Sequence, residues 1–145
     1  MAPSGQMRAA VTLARWLVRL IGLIMLVLGS LFWTGNALSL IPIHMLLGLV
    51  LVLTLWALAF LAARSGVHPG LVALAIAWGL VVPILGLSQA SLLPGPAHWV
   101  IQALHLLVGV TAIGLAEALA RRALAPTPRA PARSVQPRQR DYVTR

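Results

Sequence analysis

Cysteine and lysine are absent from the 145-residue chain, and acidic side chains are confined to Glu117 and Asp141. Without cysteine there is no disulfide, no iron–sulfur cluster, no thiolate zinc site and no thiol nucleophile. Charged residues make up 9% of the chain, where a soluble domain carries roughly a quarter to cover its surface; a water-soluble fold is excluded. Paired carboxylates, a nucleophile–base pair and a phosphate-binding glycine loop are also missing, so hydrolysis and group transfer are not expected. A redox role is the most that the chain's chemistry allows by way of catalysis.

What the sequence has in abundance is apolar length, with 60% of its residues hydrophobic. Four runs, at about residues 16–34, 40–63, 70–92 and 96–120, reach the ~20 residues that cross ~30 Å of hydrocarbon as helix. The links between them are short, which makes successive helices antiparallel neighbours. Arg8, Arg15, Arg19, Arg64, Arg121 and Arg122 stand at one end of these runs, and the loops around Asn36 and Gly95 carry no charge. The positive-inside rule then places both termini and the Arg64 loop in the cytoplasm, as in a multi-pass protein of a bacterial inner membrane. The formal charge of +9 is not gathered on one folded face, so anionic lipid rather than nucleic acid is its expected counterpart. The first run has a basic lead and a small-residue Gly35-Asn36-Ala37 that resembles a cleavage site. Its apolar core is long for a signal peptide, and it is read as a retained span. The bundle is assigned to residues 1–122. Residues 123–145, rich in proline and arginine, are expected to form a disordered cytoplasmic tail.

A repeat organises the runs. Gly22 and Gly29 on the first are seven residues apart, as are Gly79 and Gly86 on the third. The second opens Ile43-His44-Met45-Leu46-Leu47-Gly48, and the fourth contains Leu104-His105-Leu106-Leu107-Val108-Gly109. The pattern Gly-x6-Gly followed by His-x3-Gly thus occurs twice. The expected architecture is all-α: a four-helix transmembrane up-down bundle built from two parallel two-helix repeats. The second and fourth helices become diagonal partners, with His44 and His105 facing each other in the half of the bilayer away from the arginines. Their depths match imperfectly, by up to ~7 Å at 1.5 Å per residue.

Each histidine has a glycine one turn deeper on the same face, Gly48 or Gly109. Imidazole beside a bare backbone suits a flat macrocycle held by axial ligands. On this His-x3-Gly pair and the four spans, the chain resembles the small four-helix membrane cytochromes of the b type. That resemblance implies one haem b with His44 and His105 as iron ligands, Gly48 and Gly109 against the macrocycle edge, and electron exchange with quinone or a periplasmic redox protein. Known members often carry more histidines and two haems, so a two-haem path across the membrane is not implied. His98 lies two turns further out on the His105 face and is expected in the outer surroundings of the haem. With it stand Trp33, Asn36, Ser39, Ser88, Gln89, Ser91, Trp99 and Gln102, as either an interfacial belt or a polar vestibule.

Other readings stay open. Glycines at this spacing also serve simple helix contact. A bare zinc or copper ion would need His98 beside His44 and His105, with no carboxylate or cysteine to complete the set. The alternative function is a cofactor-free small permease or an accessory subunit of a membrane complex, and the partner it implies is that complex or a second copy of the chain. Glu117 is expected to pair with Arg121 at i+4, His68 to be solvated, and Pro83 with Gly79 to kink the third helix.

Overall fold

In a computed structural model, which describes residues 4–125, the chain forms four α-helices and no strand among the described residues. They are α1 (Gly5–Trp33), α2 (Ile41–Arg64), α3 (Pro69–Ser88) and α4 (His98–Leu124), with single 3-10 turns at Leu38–Leu40 and Gln89–Ser91. The all-α four-helix expectation holds. All four helices are long and apolar enough to span a membrane. Leucine, isoleucine, tryptophan and methionine side chains stand out from every helix, Leu13, Trp16, Ile84 and Leu107 all being more than 60% exposed. An apolar surface on all sides belongs in lipid, not water. The protein is a multi-pass membrane protein.

Local signals start each helix. Ser4 Oγ accepts from the Met7 N–H to cap α1, so α1 begins well ahead of the span expected from Trp16. Pro42 and Pro69 occupy the first turns of α2 and α3, where a missing N–H costs nothing. His68 caps α3, its Nδ1 accepting from the Gly70 N–H at 3.1 Å, and is therefore more than a solvated loop residue. Gly66, at φ 78, supplies the left-handed conformation that turns α2 into α3. Non-glycine residues take that conformation in the other connections, Ala37 at φ 55 and Leu93 at φ 45, each at a cost of roughly 1 kcal/mol. α4 continues to Leu124, past the expected end of the bundle at 122. The expected disordered tail beyond residue 125 lies outside the described residues.

Successive helices pack together and α4 returns to α1; α2 also meets α4 across the diagonal, while α1 and α3 do not touch. The section is a rhombus with α2 and α4 on its short axis. Small side chains permit this approach: Ala59 and Ala62 of α2 and Ala112, Ala116, Ala120 and Ala123 of α4 share one buried cluster with Leu55, Leu58 and Leu119. That cluster fills the middle and the arginine-bearing end. Outward of Leu51, Val82 and Val108, the buried hydrophobic residues are Leu28 and Ile101, and neither belongs to the cluster. The arginine-bearing end is close-packed and the opposite end is loose.

Glu117 does not pair with Arg121. Its carboxylate crosses to α1, where Oε2 accepts from Arg15 Nε at 2.9 Å and Oε1 from Arg19 Nε at 2.6 Å, with Arg19 Nη2 also reaching Oε2 at 3.1 Å. Arg121 stands in the last turn of α4 and can extend to the surface, whereas Arg15 and Arg19 sit further along an apolar helix and need a counter-charge beside them. Arg8 adds a bond from Nη1 to the Leu124 carbonyl at 3.4 Å, satisfying one orphan acceptor of the α4 terminus. Two indoles complete the fastening: Trp56 Nε1 donates to the Ile76 carbonyl at 3.2 Å and Trp78 Nε1 to the Val108 carbonyl at 3.0 Å.

Replacing Glu117 with Gln leaves two guanidinium groups facing a neutral amide, and should lower the thermal midpoint in detergent by roughly 5 °C. Arg121→Gln should change it by less than a third of that. Equal losses in the two variants, read by tryptophan fluorescence, would restore the i+4 pairing.

Candidate functional site at the arginine-free end

His44 stands in the first turn of α2, and His105 lies two turns inside α4. The depth mismatch expected from the sequence is absorbed because α4 begins further outward than α2, so both rings reach one level. Their centroids are 6.3 Å apart with planes inclined at 45°. Both rings are half-buried, and the Nδ1 atom of each is buried without a hydrogen-bond partner. An unpaired buried polar atom costs on the order of 1–3 kcal/mol, and here the cost falls twice in one place.

The walls come from the other two helices. Phe32, at the end of α1, presents an edge-on contact to His44 with ring centroids 5.3 Å apart. On α3, a Cβ built on Gly86 would lie 3.3 Å from His105 Cε1, so the glycine lets the ring sit against the backbone. One turn deeper, a Cβ on Gly109 would meet no atom within 4 Å, and one on Gly48 would meet the Met25 methyl at 3.4 Å. The His105 side therefore has clear space below it, while the His44 side is closed by a single flexible side chain.

The deeper glycines differ from those beside the histidines. Gly22 is covered by Ile113 of α4 and Gly79 by the Trp56 indole of α2. These two are packing glycines, each admitting a side chain from the neighbouring helix, and not tolerant positions as their depth alone suggests. They do keep the repeat, since α1 meets α4 there as α3 meets α2.

His98 does not join the pair. It begins α4, and its Nδ1–H donates to the Leu92 carbonyl at 3.1 Å, closing the α3–α4 connection on itself. Among the described residues no three of His, Cys, Asp and Glu come together, which removes the three-histidine zinc or copper site. The expected vestibule is not built as a converging set either. Ser88 bonds to the Ile84 carbonyl, Ser91 to the Ser88 carbonyl and Asn36 to Thr34, because short polar side chains satisfy themselves on their own backbone. Trp33 and Trp99 are exposed, as an interfacial belt requires. An open apolar groove of about 470 Å³ between Ala63, Val67, Val72 and Ile76 lies at the opposite end of α2 and α3 and offers no chemistry.

Phe32 and Met25 were not foreseen as neighbours of the histidines. Phe32 is one of two phenylalanines in the chain, but lateral contact between helices leaves no periodic signal. Fold and site together define an all-α, four-helix membrane protein with an isolated histidine pair near one end. No protein-family model, curated protein or solved structure matches the chain.

Gly109→Leu should leave expression and apoprotein stability near wild type, because its side chain enters space that is already open. Gly22→Leu and Gly79→Leu should cause degradation or aggregation, since each meets a packed side chain. Size-exclusion profiles of the three variants check this ordering, and a monodisperse Gly79→Leu would contradict it.

Proposed function

We propose that this membrane protein holds one haem b between His44 and His105 and serves as a one-electron carrier, exchanging electrons with quinol or with a redox protein outside the cytoplasm. The observation that carries the proposal is a set of two facing imidazoles with nothing to complete it. No hydrogen bond joins the rings, yet their spacing suits one metal between them. A metal–imidazole bond is about 2 Å, and the bonded nitrogen lies about 1 Å from the ring centre, so two axial rings have centres about 6 Å apart. Zinc or copper asks the protein for three or four ligands. Haem iron draws four from its own macrocycle and asks for two. A site with two histidines and no third donor fits that demand.

The residues divide the work simply. His44 and His105 would hold the iron through their ring nitrogens, which would remove the cost of their unpaired burial. Gly109 leaves space for a flat edge, and Gly48 does so once the Met25 methyl moves aside. Gly86 and Phe32 set the ring positions. His98, held by its own loop, would border the outer edge without touching iron. The haem itself supplies reversible ferric–ferrous chemistry. The uneven arginines support an orientation with both termini in the cytoplasm of a bacterial inner membrane and the site toward the outer leaflet. A second reading, a cofactor-free subunit of a larger assembly or a small permease, is favoured by α3, of whose most apolar window only 17% is buried within the chain.

The detergent-purified protein should show a low-spin b-type spectrum that sharpens on dithionite reduction. His44→Ala and His105→Ala should each abolish the low-spin form, while His68→Ala leaves it unchanged and His98→Ala retains the haem. A colourless protein, purified from cells supplied with haem precursor, would favour the subunit reading.

Reporter fusions should be cytoplasmic at both ends and at Ser65, and external at Gly35 and Gly95. A C-terminal reporter active only outside the cytoplasm would overturn the orientation.

A further inference from the structure

The two histidines are anchored unequally. α4 is fastened beside its histidine: Trp78 of α3 bonds the Val108 carbonyl at 3.0 Å, less than a turn below His105, and the ring fills the place beside Gly86 of α3 where a Cβ would come within 3.3 Å of it. The indole that fastens α2, Trp56 on the Ile76 carbonyl, sits about three turns below His44 at 3.6 residues per turn. His44 occupies the first turn of α2, just after Pro42, which has no N–H to give to the helix. The 3-10 turn Leu38–Leu40 runs straight into that turn, and the residue before it, Ala37, is held in the left-handed region at φ 55. The other strained residue, Leu93 at φ 45, is separated from α4 by residues 94–97. What braces His44 is the edge of Phe32, itself in the last turn of α1. Helix ends and their connections open at lower free energy than pinned interiors.

We infer that His44 is the displaceable ligand of the pair and His105 the fixed one, so that the site admits a small neutral diatomic molecule (carbon monoxide, nitric oxide or dioxygen as a class) in place of His44. The inference rests on the haem-binding function proposed above. The ligand class follows from charge. No charged residue occurs between Arg19 and Arg64 or between Arg64 and Glu117, so this end of the bundle offers an anion no counter-charge and would have to desolvate it. A neutral diatomic dissolves in hydrocarbon and reaches the site through the loosely packed end. In the exchange, one metal–imidazole bond breaks and one bond to the incoming molecule forms. The imidazole would leave with its electron pair and carbon monoxide would bring its own, so that exchange needs no oxidant, reductant or proton. His44 then acts as a built-in competitor: binding is weakened in inverse proportion to the fraction of time it is detached.

The experiment is carbon monoxide binding to the dithionite-reduced, detergent-purified full-length protein, followed by absorption and by recombination after a flash. The wild type should show a saturable shift. His44→Ala should bind about tenfold more tightly if His44 is detached about a tenth of the time, and His105→Ala should not retain haem. Phe32→Ala keeps both histidines and should move affinity in the same direction by a smaller factor, which tests the idea even if His44→Ala fails to accumulate. Azide, an anion, should leave the oxidised spectrum unchanged at millimolar concentration. A haem-loaded wild type indifferent to carbon monoxide, or tighter binding in His105→Ala than in His44→Ala, overturns the inference while leaving the proposed function intact. A wild type with no haem spectrum under any condition overturns both.

Discussion

The close approach of α2 and α4 across the diagonal of the bundle governs what the rest of the molecule can do. Alanines on both helices allow it at the arginine-bearing end, where Ala59, Ala62, Ala116 and Ala120 are all at most 1% exposed. In lipid, no hydrophobic drive pushes helices together, so close contact between small residues carries much of the association. The contact places α1 and α3 at opposite corners and out of each other's reach. It also aligns two helices that run in the same direction, and this is how residues 61 positions apart, His44 and His105, come to share a level.

Packing quality changes along the bundle axis, and the change has a consistent pattern. The arginine-bearing end combines the buried alanine and leucine cluster with a carboxylate held by two guanidinium groups and a helix terminus capped by Arg8. The opposite end has two isolated buried hydrophobics, two unpartnered imidazole nitrogens and glycines facing open space. Sites are commonly built where local rules of packing and polar satisfaction are relaxed, because the missing partners are supplied by what binds. The tight end then acts as the frame that holds the loose end in register.

The repeat survives in part and is broken where the chemistry differs. Gly22 and Gly79 play matching roles, each receiving a side chain from the adjacent helix. Around the histidines the match ends. His44 meets an aromatic edge, and His105 sits where Gly86 has no Cβ to crowd it. A duplicated scaffold with unequal walls gives two like residues unlike freedom, and the mobility difference inferred for His44 arises from that inequality.

The helix count, the apolar surface on every side and the grouping of arginines at one end were legible in the sequence because each depends on local composition and run length. The candidate histidines and their glycines were legible as a repeated pattern along single helices. What the sequence misassigned were relations between helices. The local i+4 rule offered Arg121 to Glu117, but the carboxylate went to arginines about a hundred residues away, which stand further along an apolar helix and need a counter-charge beside them. Ser88 and Ser91 of the expected vestibule looked convergent along the chain and instead bonded to the backbone of their own segment, and Asn36 bonded to nearby Thr34. Whether the imidazoles meet, which glycines face a void and which receive Ile113 or Trp56, and which histidine is pinned are set by helix rotation and depth. Those are fixed by side-chain packing across the whole bundle, so only the tertiary structure could decide them.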